Sequence, residues 1–396
     1  MVSLHTANKD QKGGSTMKKK LYIAICIIVI SMVVTGCWDI HYLTNKKIVN
    51  GISVDIDQDN HMKGTVRAII LKSKGGGQFD VKDEFVQATG DSITSIGSKI
   101  DSMLPGTVEA SKTHVIMIGE ELAKKGILTP LESIYRNPKG FLASKIIISE
   151  GLASEVLSYQ NIENNPIAFG IMQMIRGSVR NSSVPKLTLF TLWSQITDPG
   201  EDAILPMIRK VKNKSLAINS IALFHGDKFT GVTLSQKEST LLLLLKDNLN
   251  KLAVLHIPYQ IGSEQGNSSD EKSSVISFQA QKLKRSFKVT VDEETQEISC
   301  SIKLDIYGAL MSYPTHMNQK VDREQLNLII AKELNKQATE VTSKLLKANC
   351  DALGIGRRLR VDYSDLWRQI NWEQEYSSVK FNSDIQVHIK NTGVIS

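Results

Sequence analysis

The segment Met17–Trp38, MKKKLYIAICIIVISMVVTGCW, decides how much of this chain is left to fold. Lys18, Lys19 and Lys20 precede fourteen residues, Leu21 to Val34, among which Ser31 is the one plainly polar side chain. Crossing ~30 Å of hydrocarbon takes about 20 apolar residues, so the run is too short for an ordinary spanning helix. A basic start, a short apolar core and small residues at its end are instead the layout of a secretory signal. Val34-Thr35-Gly36-Cys37 sharpens that reading. An apolar residue, two small ones and then cysteine form a lipobox, whose thiol is joined to diacylglycerol before cleavage. Cys37 is the expected lipidation site and residues 1–36 the expected signal peptide. Met17 is then the natural start, and the polar residues before it carry no fold information. Two acyl chains, at ~0.8 kcal/mol for each buried CH₂, hold a folded domain firmly on a bilayer.

Removing residues 1–36 leaves 360 residues, enough for two or three domains with their own cores. The whole chain has 48 Lys and Arg against 41 Asp and Glu, a formal charge of +7. Five lysines and Asp10 go with the leader, which leaves 43 against 40, or +3. With most of the basic excess in the signal, no nucleic-acid partner is expected. Cys26 leaves too, and Cys37 carries lipid. Cys300 and Cys350 are too few for a disulfide framework. The strongest later apolar run, Leu241–Leu245, has five residues, so the mature chain is not expected to cross a membrane again.

Ile48–Asp55 and Met62–Ile70 read as strands around the turn-rich Asp57-Gln58-Asp59-Asn60. Asp55, Asp57 and Asp59 resemble the start of a calcium loop, but Asn60 and Val66 stand where that loop needs glycine and an acid. A hairpin turn is the better reading. Ile93, Ile96, Ile100 and Met103 mark a helix ended by Pro105-Gly106. Thr113–Ile118 and Ala143–Ser149 are expected strands, separated by helices at Glu120–Lys125 and near Leu131–Arg136. Asn165-Pro166 opens a helix with the stripe Ile167, Ile171, Ile175 and Val179. Leu187–Ile196 is helical as well, and Asp198-Pro199-Gly200-Glu201-Asp202 is the best boundary in the first half.

Gly226-Asp227 joins two strands as a hairpin, and Ser235-Gln236-Lys237-Glu238 is a capping box before Leu241–Leu245. Gly262–Lys272 is a polar loop. Ile298, Cys300, Ile302, Leu304 and Ile306 alternate with polar residues, which buries the Cys300 thiol on one face of a strand. Asp322 caps the longest helix, whose apolar face runs through Leu326, Ile330, Leu334, Ala338, Val341, Leu345 and Ala348. Gly354-Ile355-Gly356 turns the chain after it, and a half-buried strand lies in Phe381–Lys390. No His-Glu-x-x-His, metal-ligand spacing or Gly-x-Ser-x-Gly occurs, and His114 reads as a core histidine. No catalytic, cofactor or metal residue is assigned.

Several stretches together resemble one family. They are Gly36-Cys37-Trp38-Asp39, Ile48–Asp55, and His114–Ala123 around Val-Ile-Met-Ile-Gly-Glu-Glu-Leu-Ala. Ser215–Gly231 before the leucine-rich helix is a further match. The tail is the most specific: Asp351–Arg357, Trp367, Asn371-Trp372 and Lys390-Asn391-Thr392-Gly393. From Trp38 to Ser396 the chain is similar to the Ger(x)C lipoproteins, C subunits of spore nutrient germinant receptors. Ile370, where a basic residue is usual, and residues 1–16 depart from the pattern.

The resemblance implies a non-enzymatic lipoprotein subunit needed for nutrient-triggered germination. It would sit on the outer face of the spore inner membrane through its lipid, beside A and B receptor subunits. In that family ligand recognition is usually placed in the B subunit, and the resemblance leaves direct small-molecule binding by this chain open. Arg357, Arg358 and Trp372 are candidates for the subunit contact, against the plainer reading of solvated arginines and a core tryptophan. The expected fold is α+β in several domains. Residues 37–212 form an N-terminal α+β region with room for two subdomains. Residues 213–396 form a C-terminal α+β domain with an antiparallel sheet and one long packed helix. The alternative function is a solute-binding lipoprotein of a transporter, which would need two lobes of parallel strands.

Overall fold

Val115-Ile116-Met117-Ile118 has no polar face, and a strand of that kind belongs inside a sheet covered on both sides. In the computed structural model it does: all four residues are buried in the middle of a nine-stranded sheet. The structure describes residues 20–27, 46–75, 78–104, 106–136, 141–211, 215–259, 274–313 and 322–391. Two compact units are present. In Met1–Lys46 residues 20–27 form one helix, α1. The lipobox and the loop expected at Gly262–Lys272 lie outside the described residues.

The unit Lys47–Ser396 holds both main sheets and all three apolar cores. It opens with β1 (Lys46–Ile56), β2 (Met62–Gly75), β3 (Gln78–Gly90), α2 (Ile93–Met103) and β4 (Thr107–Glu109). Next come β5 (Val115–Gly119), α3 (Glu120–Lys125), α4 (Leu128–Tyr135), β6 (Lys145–Ser149) and α5 (Ala153–Leu157). The pair β7 (Asn161–Ile162) and β8 (Asn165–Pro166) precedes α6 (Ile167–Arg180), α7 (Leu189–Thr197) and β9 (Ile204–Lys210). A hairpin, β10 (Leu216–His225) and β11 (Lys228–Ser235), leads into α8 (Gln236–Leu245). The remainder is β12 (Ala253–Tyr259), β13 (Ser274–Val291), β14 (Ile298–Ser312) and α9 (Arg323–Lys347), then α10 (Ile355–Asp362), α11 (Ser364–Gln369), α12 (Trp372–Glu375) and β15 (Lys380–Asn391).

The large sheet runs β11-β10-β9-β6-β5-β1-β2-β3, with β4 beside β1. Its centre is parallel, β1 to β5, β5 to β6 and β6 to β9, and its flanks are antiparallel hairpins. Val115, Met117 and Ile147 face a core with α5 and α6, while Ile116, Ile118, Ile146 and Ile148 face another with α3, α4 and α7. The strands β3, β9 and β12 are not expected from the sequence. Pro166 is the cap of α6 rather than its first helical residue.

The second sheet is β12-β13-β14-β15. Sequence reading expects it to be antiparallel, and its first three strands are. The last, β15, pairs parallel to β14. The 25-residue α9 lies between those strands, and a crossover of that length is what parallel pairing requires. The face of α9 marked by Leu326, Ile330, Leu334, Ala338, Val341 and Leu345 is buried throughout. Asn327 and Asn335, eight residues apart on the same helix, also accept hydrogen bonds from the β15 amides of Ile389 and Ile385. Side chains thereby satisfy an edge that would otherwise be open to pairing.

The five leucines of α8 are all buried. A helix apolar on every side must be enclosed, and α8 packs against β10 and β11 of one sheet and against β12 and α9 of the other. Its capping box forms as expected, with the Ser235 amide donating to Glu238 at 2.9 Å, and Glu238 also meets Lys344 of α9 at 2.6 Å. One apolar core therefore runs from β5 through α8 to β15. The expected division after residue 212 falls outside the described residues, and β9 before it pairs with β10 after it.

Candidate functional site

The C-terminal residues that stand out in the sequence converge where α9 ends. Asn349, in the left-handed region at φ 48°, closes the helix in a Schellman arrangement: the Cys350 amide donates to the Leu345 carbonyl and the Asn349 amide to Leu346. The next residue, Asp351, sits against the first turn of α10. Its carboxylate accepts from the Ile355 amide at 2.9 Å, the Gly356 amide at 2.7 Å and Trp372 Nε1 at 3.3 Å. A helix start presents unpaired N–H groups and the positive end of its dipole, so a carboxylate is favoured there. Burial still pushes the Asp351 carboxyl up to about 7, against the lowering effect of those amides. The Tyr376 hydroxyl donates to the Cys350 carbonyl at 2.8 Å, and the rings of Trp367, Trp372 and Tyr376 follow one another at 5.9 and 5.6 Å.

The loop after α7 locks into this turn. The Asp202 amide donates to the Asp351 carbonyl at 3.0 Å, and the Asp351 amide returns to Asp202 Oδ2 at 2.8 Å. Asp202 Oδ1 accepts from the Gly226 amide at 2.8 Å, which fastens the β10–β11 hairpin to the same point. The Arg357 amide donates to the Gly200 carbonyl at 2.8 Å. Gly200 and Gly356 are glycines because the backbones touch: a Cβ on Gly356 would lie 2.7 Å from Trp372 Cε2 and 2.9 Å from Gly200 Cα. Glu201 joins Lys246 at 3.0 Å and Arg357 at 2.6 Å. Burial alone would raise the Glu201 carboxyl, but these two cations hold it below the usual range. Asp202 is raised, because burial outweighs its two backbone donors. Asp198 meets Arg360 at 2.8 Å. Beside the lock lies an open hollow of about 550 Å³, bordered by Gln195, Asp198, His225, Trp367, Asn371 and Glu373.

Asp198–Asp202, which the sequence marks as a boundary, is thus a fastening point. Its carboxylates are engaged by backbone amides or by cations, and His225 Nδ1 lies 3.6 Å from Asp202 Oδ2. The arrangement holds distant parts of the chain in register. Of the candidate contact residues, Arg357 is taken up by Glu201, and Trp372 is half-buried on Gly356 with its N–H on Asp351. Arg358 pairs with Asp362 one turn along the exposed side of α10.

The other sequence candidates lie apart. Cys37 is outside the described residues. Asp55 is buried and accepts from the Ala153 and Ser154 amides at 2.7 and 2.9 Å, capping α5. Asp57 accepts from the Asp59 and His61 amides at 3.0 and 2.8 Å, the hydrogen bonds of the hairpin turn. Ligand atoms of Asp57, Asp59 and His61 approach within 4.8 Å of one another on that exposed turn. His114 is half-buried, edge-on to Phe169 at 5.9 Å, and burial with Arg176 nearby lowers its pKa. Cys300 is buried as its strand pattern requires, and burial pushes its thiol up to about 12. Cys350 is also buried and its thiol raised. Among the described residues no helix is long and apolar enough to cross a membrane.

Comparison with known proteins matches the chain in two adjoining parts that meet between β9 and β10. The profile described as the spore germination protein N-terminal domain covers residues 39–210, and that described as spore germination B3/GerAC-like, C-terminal, covers 219–393. The chain is 23% identical to spore germination protein GerQC of Bacillus cereus, across 93% of this chain and 98% of that protein. It is 20% identical to spore germination protein KC of Bacillus subtilis, across 96% and 97% respectively. In fold it resembles the crystal structure of the GerBC protein, with a TM-score of 0.54 at 17% identity over 86% of this chain and 97% of that one.

Proposed function

Because this chain belongs to the Ger(x)C family of spore germination proteins, we propose that it is a non-catalytic, lipid-anchored subunit of a nutrient germinant receptor. The observation that carries the proposal is that both halves match the family, over nearly the full length of its relatives. In this reading Cys37 carries diacylglycerol and the mature chain begins there. The folded unit works on the outer face of the spore inner membrane, beside an A subunit and a polytopic B subunit.

The absence of catalysis is supported by what the polar groups do. The acids of the lock are spent on amides and cations, and both described thiols of the folded unit are buried with raised pKa. In this reading the folded unit, which among its described residues has no helix long and apolar enough to cross a membrane, acts by contact with its partners. A solute-binding lipoprotein needs two lobes that close on a ligand. The parallel centre of the large sheet suits that fold, but the continuous core through α8 does not.

The test is genetic. Spores lacking the gene, or carrying only Cys37→Ala, are followed through germination with a panel of nutrients and with one agent that bypasses receptors. The expected result is loss of response to one nutrient class with the bypass intact, and a slower-migrating precursor for Cys37→Ala. A Cys37→Ala protein of unchanged size that stays on the membrane and supports full germination would sink the anchoring proposal.

A further inference from the structure

The C-terminal sheet has one face packed beneath α9 and one face open. On β13 and β14 the alternation sends Leu283, Phe287, Val289, Ile302, Leu304 and Ile306 to the packed side. The open side carries Lys282, Lys284 and Lys288 on β13, Lys303 on β14 and Lys390 on β15, all exposed. None of the five makes an ion pair with another described residue. Tyr307 lies toward one end, opposite Lys282 in the register and stacked on His388 at 4.6 Å, with the Lys284 and Lys390 ammonium groups 5.5 and 5.2 Å from its ring centre. The acids of this face are few: Asp305 is held by His388 at 2.9 Å, and Asp384 lies opposite Lys303 in the register.

The face is also polar along its length. At one end the turn between β13 and β14 gathers Asp292, Glu293, Glu294 and Glu297. At the other end, beyond Lys282 and Tyr307, Met311 is 60% exposed and Val275 48% exposed. Cations in one plane beside exposed apolar side chains match the layered chemistry of a bilayer surface, where phosphates lie over acyl chains. An acidic protein surface would account for the lysines but would leave Met311 and Val275 without a partner.

We propose that the open face of the β12–β15 sheet is a docking surface for anionic phospholipid, with the Lys282–Lys284–Lys390–Met311 end toward the bilayer. The proposed anchor at Cys37 would leave nine residues before Lys47, a reach of at most about 33 Å, so the folded unit would stay near the lipid. The docking surface rests on that reading only for its setting, and its test uses no lipid anchor.

A chain beginning at Trp38 contains the whole compact unit and both main sheets, and its fold is checked by circular dichroism. It is sedimented with vesicles of phosphatidylcholine alone or with a third phosphatidylglycerol, at low and at high salt. Binding is expected to require the anionic lipid and to weaken steeply with salt. Each lysine at such a surface is worth about fivefold in partitioning, so Lys282→Gln, Lys284→Gln and Lys390→Gln together lower it about a hundredfold. Lys332→Gln with Lys336→Gln, exposed on α9, serves as the control and leaves partitioning within about twofold. Met311→Ser weakens vesicle binding further. Equal loss in the α9 control, or binding indifferent to the anionic lipid, overturns the proposal. Retention on polyglutamate as strong as on vesicles, with Met311→Ser silent, overturns it in favour of an acidic protein partner.

Discussion

Replacing Asp351 with alanine tests the lock at its centre. The substitution leaves the amides of Ile355 and Gly356 and the Trp372 Nε1–H without an acceptor, in a place where the aspartate is almost fully buried. A buried donor left unpaired costs about 1–3 kcal/mol. Trp372 is half-exposed and can reach water, so the two amides set the scale, and the expected loss is about 2–6 kcal/mol. Asp351→Asn keeps one acceptor and removes the titration. Folding raises this carboxyl from 3.8 to about 7. The native state therefore holds a proton that the unfolded chain releases near pH 4. The stability from this group is complete below the unfolded value and is lost as pH rises through about 7, an effect on the order of 4 kcal/mol. Urea unfolding of the chain from Trp38 onward, at several values between about pH 4.5 and 8, reads both terms through the midpoint at constant slope. The advantage of wild type over Asp351→Asn should shrink by a few kcal/mol across that range. A loss below about 1 kcal/mol for Asp351→Ala, or a gap to Asp351→Asn that widens with pH, would refute the reasoning.

Leu334 is fully buried between α9 and the second sheet, so Leu334→Ala should cost about 2–5 kcal/mol and Leu334→Asp should abolish cooperative unfolding. Near-wild-type melting of the aspartate variant would remove α9 from the core. Gly356→Ala forces a methyl group into Trp372 and Gly200; the expected loss is about 1–3 kcal/mol with a change in tryptophan emission, and an unchanged spectrum and midpoint would contradict the contact. Cys300 and Cys350 should react with a thiol reagent only as fast as the protein opens, and fast labelling of either in the native state would show that the burial is wrong.

Local chemistry was legible in the sequence, and distant pairing was not. The alternation of Ile298 to Ile306, the α8 capping box and the Asp322 cap each depend on residues a few positions apart, and each forms where expected. The strand β3 escaped notice because it is an edge strand whose Asp83 faces inward to meet Arg67 at 3.5 Å, which breaks its apolar pattern. The parallel partners of β5 lie beyond intervening helices, so the sequence marks the strand without its neighbours. At Asp198–Asp202, proline, glycine and aspartate signal a chain reversal, and the chain turns there after α7. What docks on that loop is Asp351, about 150 residues on, and the triad Glu201, Lys246 and Arg357 comes from three separate segments. Turn residues specify a bend, and nothing local to them records its partner. Leu241–Leu245 was visible as the strongest apolar run. Its burial on all sides follows from two sheets meeting around it, which composition alone does not reveal.

The proposed function turns on contact with other receptor subunits, and that contact can be measured directly. A tagged copy of this chain, expressed from its own locus, is purified from detergent-solubilised spore inner membranes, and the recovered proteins are identified and quantified by mass spectrometry. The expected result is recovery of one A-type and one polytopic B-type germinant receptor subunit in near-stoichiometric amounts, reduced when Cys37 is replaced by alanine. Recovery of the chain alone, or with the permease of a solute transporter in place of those subunits, would contradict the proposed function.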